Sequence, residues 1–213
     1  MTSTTGKPRG PYARTARRRE VIARAVLDIV LEKGHAAVTT AEVAERSDTR
    51  EATVLYHYPT KDHLLVAALQ YAEDEDVDAF PESEAFDLET LRAFVQTAPR
   101  RVSLMRLYTA LAGDATVPGH PAQTYFTAHY ERVLTWFARL IELRQAAGLA
   151  HPGLDPRDTA RQIVAVWDGL QAQWLVASEF DLGESLMSAF RRLTAENWME
   201  ARSRIVDDPD AGL

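Results

Sequence analysis

The chain has 213 residues, 46% hydrophobic and 26% charged, and no cysteine. That length allows one large helical domain or two small ones with a substantial core, and the composition is that of a globular protein, not a disordered one. Without cysteine there is no disulfide, thiolate zinc site, iron–sulfur cluster or cysteine nucleophile. The opening MTSTTGKPRGPYARTARRRE lacks the apolar stretch of a signal peptide, and no run approaches the roughly 18 apolar residues of a membrane span. The chain is therefore read as soluble and cytoplasmic, with no membrane partner.

The formal charge of −7 is unevenly distributed. Residues 1–70 hold 11 Lys and Arg against 8 Asp and Glu, a balance of +3, whereas 71–213 hold 13 against 23, a balance of −10. Lys7, Arg9, Arg14, Arg17, Arg18, Arg19 and Arg24 stand against Glu20 alone in the first 24 residues. A basic N-terminal part on an acidic remainder reads either as a polyanion-binding module or as a solvated tail.

The first helix carries Val21, Ile22, Ala25, Val26, Ile29 and Val30 at helical spacing and stops at Gly34, a natural C′ residue. A second, short helix opens at Thr39, where Glu42 three residues on completes a capping box. A third runs from about Arg50 to His57, because Pro59 cannot continue it. Thr60 caps a fourth, which carries Leu64, Leu65, Ala68 and Leu69. Glu73-Asp74-Glu75-Asp76 oppose the macrodipole at its end, so fraying is expected there, followed by a linker to Glu84. Five more helices are expected at roughly 87–98, 100–114, 121–147, 156–179 and 184–206, separated by Pro and Gly breakers. No strand alternation or internal repeat is present. The fold class is all-α, with about nine helices.

Two short helices with a tight connection, behind a longer one, describe a helix-turn-helix. The residues carry more than this outline: Val21-Ile22-x-x-Ala25, Glu32-Lys33-Gly34-His35, Val38-Thr39-Thr40-x-Glu42-Val43-Ala44, Thr53-Val54-Leu55-Tyr56-His57-Tyr58 and Lys61-Asp62-His63-Leu64-Leu65. Together they resemble the DNA-binding domain of the tetracycline-repressor (TetR) family, and the layout of the later helices is similar too. The resemblance implies four segments: a basic arm over 1–14, a helix-turn-helix domain over 15–60, a connecting helix over 61–80, and an effector-binding and dimerisation domain over 81–213. The sequence departs from the family in two places. Asp48-Thr49-Arg50 occupies the turn where the family has Gly, an apolar residue and Ser, and Leu55 stands where an aromatic is usual. Asp tolerates the left-handed conformation, and Asp48 or Thr49 is expected to cap the third helix, with Glu51 three after Asp48.

A recognition helix places short polar side chains at base edges and holds its ends on phosphates. Arg50, Glu51, Thr53, Tyr56 and His57 fall in the first two turns of the third helix, with Thr53, Tyr56 and His57 on one face and Val54 and Tyr58 on a packing face. Leu55 is unassigned. Arg50 suits guanine or a phosphate, and Glu51 suits cytosine. Lys61 opposes its own helix dipole unless a phosphate binds there, and Thr39 and Thr40 suit phosphate likewise. The resemblance implies DNA-contact roles for Thr40, Tyr56, His57 and Lys61, and the basic stretch from Lys7 to Arg19, Arg17 included, is expected to add backbone or minor-groove contacts. Tyr56 and Tyr58 also read as core aromatics, and Lys61 as a solvated charge.

The remaining residues are expected to sense and dimerise. Ile163, Trp167, Leu170 and Trp174 on the eighth helix, with Leu186, Phe190 and Leu193 on the ninth, form stripes suited to a two-fold four-helix bundle, the arrangement the resemblance implies. Gly169 would permit close approach. Such a homodimer sets two recognition helices about one DNA turn (~34 Å) apart on a palindromic double-stranded operator. Phe94, Met105, Tyr108, Tyr125, Phe126, His129, Tyr130, Trp167, Gln171 and Trp174 are candidates to line a pocket for a small hydrophobic or aromatic effector, although stripes at helical spacing are more often plain core.

His35, His57, His63, His120, His129 and His151 form no H-E-x-x-H motif, and G-x-S-x-G and glycine-rich phosphate loops are missing, so no enzyme, metal or cofactor is expected. The expected function is a homodimeric DNA-binding regulator, a repressor released by its ligand. The alternative is a helical protein-interaction adaptor, or a ligand-independent regulator, with an altered head.

Overall fold

The computed structural model describes residues 11–75, 88–97, 100–196, 198 and 199. Among them are nine α-helices: α1 (Pro11–Lys33), α2 (Thr40–Arg46), α3 (Glu51–His57), α4 (Lys61–Glu75), α5 (Leu88–Gln96), α6 (Val102–Asp114), α7 (Pro121–Ala146), α8 (Pro156–Val176) and α9 (Leu182–Leu193), with a 3-10 turn at His35–Ala37. No strand occurs among the described residues. Helix α1 begins at Pro11, so positions 11–14 of the basic arm are helical. The chain divides into two compact units, Met1–Asp76 with Arg106–Gln123, and Val77–Met105 with Thr124–Leu213.

In the first unit α1 packs chiefly along α4, and α2 packs on α3. Ile22, Val26, Ile29 and Val30 of α1, Val43 of α2, Val54 of α3 and Leu64, Leu65 and Ala68 of α4 are buried, as the helical spacing predicts. In the second unit Leu91 and Val95 of α5, Phe137 and Ile141 of α7, Ile163 and Val164 of α8, and Leu186, Met187 and Phe190 of α9 form one core cluster.

The helix ends show which local signals acted. Thr39 Oγ1 accepts from the Glu42 N–H at 3.3 Å, but only this half of the expected capping box forms: the Glu42 carboxylate takes Lys33 at 2.8 Å and Arg46 at 2.7 Å instead. Two cations outcompete one backbone N–H for a carboxylate. At the end of α2, Thr49 N–H donates to Ala44 O at 2.9 Å and Asp48 N–H to Glu45 O at 3.3 Å, with Asp48 at φ +47°. This is a Schellman motif with aspartate in the place usually held by glycine. Neither Asp48 nor Thr49 caps α3, contrary to expectation; the N-cap is Arg50, with no side-chain cap. Asp48 is already committed to closing α2. Asp155 and Asp181 do cap α8 and α9, accepting from Asp158 and Glu184 N–H at 2.7 and 2.8 Å.

Helix α4 ends at Glu75, inside the acidic run where its end is expected, while Asp76 and the linker to Glu84 lie outside the described residues. One further helix end differs from expectation. The ninth helix ends at Leu193, not near 206: Thr194 turns its hydroxyl back to Phe190 O at 2.9 Å and Ala195 adopts φ +54°.

Gly34 adopts φ +84° and ψ 161°, a region that is essentially glycine's alone. Gly34→Ala is expected to cost about 1–3 kcal/mol through backbone strain, since an added Cβ there would touch nothing. Asp48→Gly is expected to gain up to about 1 kcal/mol by removing the left-handed penalty. Urea unfolding of the two variants beside the parent chain checks both signs.

Candidate nucleic-acid interface

Helix α3 is held by its buried edge. Val54 is fully buried and Tyr58, just past the helix end, is 5% exposed. The Tyr58 hydroxyl donates to Arg19 O at 3.2 Å, the Arg19 guanidinium lies 4.6 Å from the Tyr58 ring centroid, and Arg19 Nη1 donates to His57 O at 3.3 Å. Arg18 Nη1 likewise donates to Ser47 O, at the end of α2. Arginines of α1 thus satisfy carbonyls at the ends of both helices of the helix-turn-helix, where the last C=O groups lack helical partners.

With Val54 and Tyr58 inward, the 100° step per residue sets every other position on α3. Glu51, Ala52, Leu55 and Tyr56 are exposed, and Thr53 and His57 are half-buried. The expected face of Thr53, Tyr56 and His57 is therefore split: Tyr56, 81% exposed, stands outward, while the other two flank the packed edge. Leu55, which sequence reasoning left unassigned, is 44% exposed on the outward side. The buried pair Val54 and Tyr58, four residues apart, was the signal that would have placed it.

The polar candidates have definite partners. Thr40 Oγ1 donates to Glu51 Oε2 at 2.8 Å, joining the first residues of α2 and α3. Lys61 Nζ donates to Ala36 O at 2.7 Å, and Thr39 caps α2. Arg17 and Arg50 are exposed. Behind them Arg46 grips Glu32 through two bonds of 2.9 and 2.8 Å while also holding Glu42, and Lys33 completes the network. Hydrogen bonds from Arg46 and Lys33 hold the Glu32 and Glu42 carboxyls below the usual range.

In the second unit, Trp167, Leu170 and Trp174 pack against the buried pair Met105 and Leu182. Along α7, Tyr125 stacks on His129 at 5.7 Å and Phe126, buried, meets Tyr130 at 5.8 Å; the Tyr130 hydroxyl donates to Asp168 at 2.9 Å. Gln171 is 4% exposed, and its Nε2 has no hydrogen-bond partner among the described residues. Tyr108 falls in the first unit and the other pocket candidates in the second, and Phe94's side chain lies outside the described residues. Of the residues expected at a dimer face, Ile163, Leu186 and Phe190 are spent in the chain's own core, at 0%, 2% and 0% exposure, and present no surface. Trp167, Leu170, Trp174 and Leu193 remain partly exposed. Among the described residues no cluster of three or more acidic or histidine side chains is poised to hold a metal, and no helix is long and apolar enough to cross a membrane.

An α1-braced helix-turn-helix with an outward α3 defines a DNA-binding regulator of all-α build. The sequence model described as "Bacterial regulatory proteins, tetR family" matches residues 22–68. Over 191 residues the chain is 30% identical to the HTH-type transcriptional repressor KstR of Mycolicibacterium smegmatis, covering 86% of this chain and 90% of that one. It is 28% identical over 193 residues to KstR of Mycobacterium tuberculosis, covering 88% and 84%. In structure it matches a TetR-family transcriptional regulator from Rhodococcus sp. with a TM-score of 0.66 at 23% identity, over 84% of this chain and 99% of that one. It matches Thermus thermophilus FadR, a TetR-family repressor in complex with lauroyl-CoA, with a TM-score of 0.60 at 19% identity, over 82% and 92%. The chain belongs to the TetR family, whose members are transcriptional regulators and not enzymes.

His57 gives the interface a pH signature. Partial burial, then the nearby Arg19 and Arg18, lower its pKa from the ordinary 6.5, so the imidazole is neutral at pH 7. The folded state then binds a proton less readily than the unfolded one, so His57's contribution is complete above pH 6.5 and is lost as pH falls through the lowered value. An NMR titration is expected to find His57 titrating below the ordinary value, and His57→Gln to flatten the acid-side fall in stability.

Proposed function

We propose that the protein is a homodimeric operator-binding repressor, released from DNA by a small, largely apolar effector. The observation that carries this reading is the head itself: α3 stands outward on a base held by Arg18, Arg19 and Tyr58, in a chain similar to named repressors along most of its length. Arg17 and Arg50 supply phosphate-binding charge, as does Lys61 at the start of α4, while Tyr56 and the flanking Thr53 and His57 face the groove. Thr40 and Glu51 brace the two helices against each other, and Thr39 caps α2. The adaptor alternative rested on the unusual turn. Asp48 in the left-handed geometry that closes α2 removes the reason to prefer it.

For dimerisation, the supporting feature is an open groove of about 670 Å³ along α8 and α9, lined by Val166, Leu193, the small Ser185, Ser188 and Ala189, and the charged Asp181, Glu184 and Arg192. Small side chains there admit a neighbouring helix closely, and at Gly169 an added Cβ would meet nothing within 4 Å of its own protomer. For the effector, Met105, Trp167 and Trp174 offer apolar walls, and Gln171 offers a buried donor with no partner among the described residues. An apolar ligand bearing one acceptor suits that chemistry. Two structural relatives hold ligands, lauroyl-CoA in one and choline in a regulator from Saccharomonospora viridis, and both leave the effector of this chain to experiment. Release requires that the effector bind the DNA-incompetent state more tightly.

Two measurements test the reading. Fluorescence anisotropy on DNA flanking its own gene is expected to show saturable binding, tighter than to scrambled DNA. With six or more phosphate contacts, affinity should fall about a thousandfold or more between roughly 50 and 200 mM salt; equal, weak, salt-insensitive binding to all fragments would reject it. In sedimentation velocity the protein is expected at twice the chain mass, with Ala189→Arg, placed in the groove, shifting it to monomer. A parent chain that is already monomeric at micromolar concentration would rule the dimer out.

A further inference from the structure

The outward side of α3 is mostly apolar. Ala52 and Tyr56 stand opposite the buried Val54, and Leu55 lies beside them with 44% of its surface in water. The acidic residue at the start of the helix is drawn aside, because Glu51's carboxylate accepts from Thr40 at 2.8 Å. This apolar strip sits in a head whose Arg14, Arg17, Arg50 and Lys61 are exposed, so its partner is a polyanion. In the major groove of B-DNA, the base-edge group that an aliphatic side chain can bury against is the 5-methyl of thymine. We propose that Leu55, flanked by Ala52, reads thymine methyl groups, so that each operator half-site carries thymine beneath the middle of α3. The inference rests on the DNA-binding reading above and goes further, assigning the base and the atom contacted. It also gives a role to Leu55, where the family usually has an aromatic: a compact branched side chain covers a methyl without claiming a hydrogen bond at the base edge.

The test uses the full chain and duplexes recovered from a random library by in-vitro selection. Each thymine of one half-site is then replaced in turn by deoxyuridine, which removes the methyl and leaves every hydrogen-bonding group in place. At one or two positions the affinity is expected to fall about fourfold, the effect of losing one buried CH₂-sized apolar group. Leu55→Ala is expected to bind the thymine duplex more weakly and to show no further loss with deoxyuridine at those positions. The uracil series uses the unaltered protein, so it stands even if that variant folds poorly, and Leu55→Gln repeats the comparison at near-constant size. Affinity unchanged by every thymine replacement would overturn the proposal, as would a deoxyuridine loss that persists at full size in both variants. A selection that enriches no sequence would instead overturn the DNA-binding reading, and this inference with it.

Discussion

Everything the head presents to its surroundings depends on how α3 is clamped against α1. Seven residues of helix cannot hold themselves in water, because nucleation fixes several dihedrals before the first hydrogen bond repays it. Val54 supplies the buried anchor, and Tyr58 supplies a second one just beyond the helix end. The Tyr58 hydroxyl and the Arg19 guanidinium then exchange contacts, each donating to a main-chain carbonyl near the other residue. Arg18 makes the corresponding bond to the end of α2. A rotation of α3 by one residue would bury Leu55 in place of Val54 and forfeit these bonds, so the clamp sets which side chains face outward.

The same basic segment therefore does two kinds of work. Arg18 and Arg19, at the heart of the charge cluster that marked the N-terminus, spend a guanidinium N–H each on a main-chain carbonyl, Arg18 half-buried and Arg19 at the surface, while Arg14 and Arg17 are exposed. Lys61 divides its role: its ammonium lies 2.7 Å from Ala36 O, tying the start of α4 to the turn after α1, yet the side chain is exposed. On the far side of α2, Arg46, Glu32, Glu42 and Lys33 form a surface network that holds α2 to the end of α1. Exposed pairs of this kind contribute little singly, and their value lies in mutual orientation. The acidity of the chain as a whole obscures a head in which cations serve as struts as much as ligands.

In the second unit the constraint is the core itself. Ile163, Leu186 and Phe190 sit on the same stripes as Trp167, Leu170 and Leu193, and no local feature divides the two groups. The division arises because α5, α7, α8 and α9 converge on one cluster, and the residues nearest its centre are consumed by it. What remains at the edge of α8 and α9 is mixed: Leu193 and Val166 beside the small Ser185, Ser188 and Ala189 and the charged Asp181, Glu184 and Arg192. Polar groups are buried here too: Thr159 and Thr194 bond to main-chain carbonyls, whereas Gln171 Nε2 has no hydrogen-bond partner among the described residues.

Helix positions, the helix-turn-helix and the family were all legible in the sequence, because they rest on short-range physics. Apolar spacing and the glycine and proline breakers act within a turn or two. The left-handed tolerance of Asp48 was legible for the same reason. Competition over distance was not. Glu42 abandons the capping box because Lys33 and Arg46 arrive from α1 and from one turn along α2. Glu51 turns to Thr40 across the helix-turn-helix, and the ninth helix stops at Leu193 where Thr194 and Ala195 close it. The sequence by itself determined which segments are helical and which family they build; only the tertiary structure decided which face of each helix is left for a partner, because burial is settled by what the other helices bring.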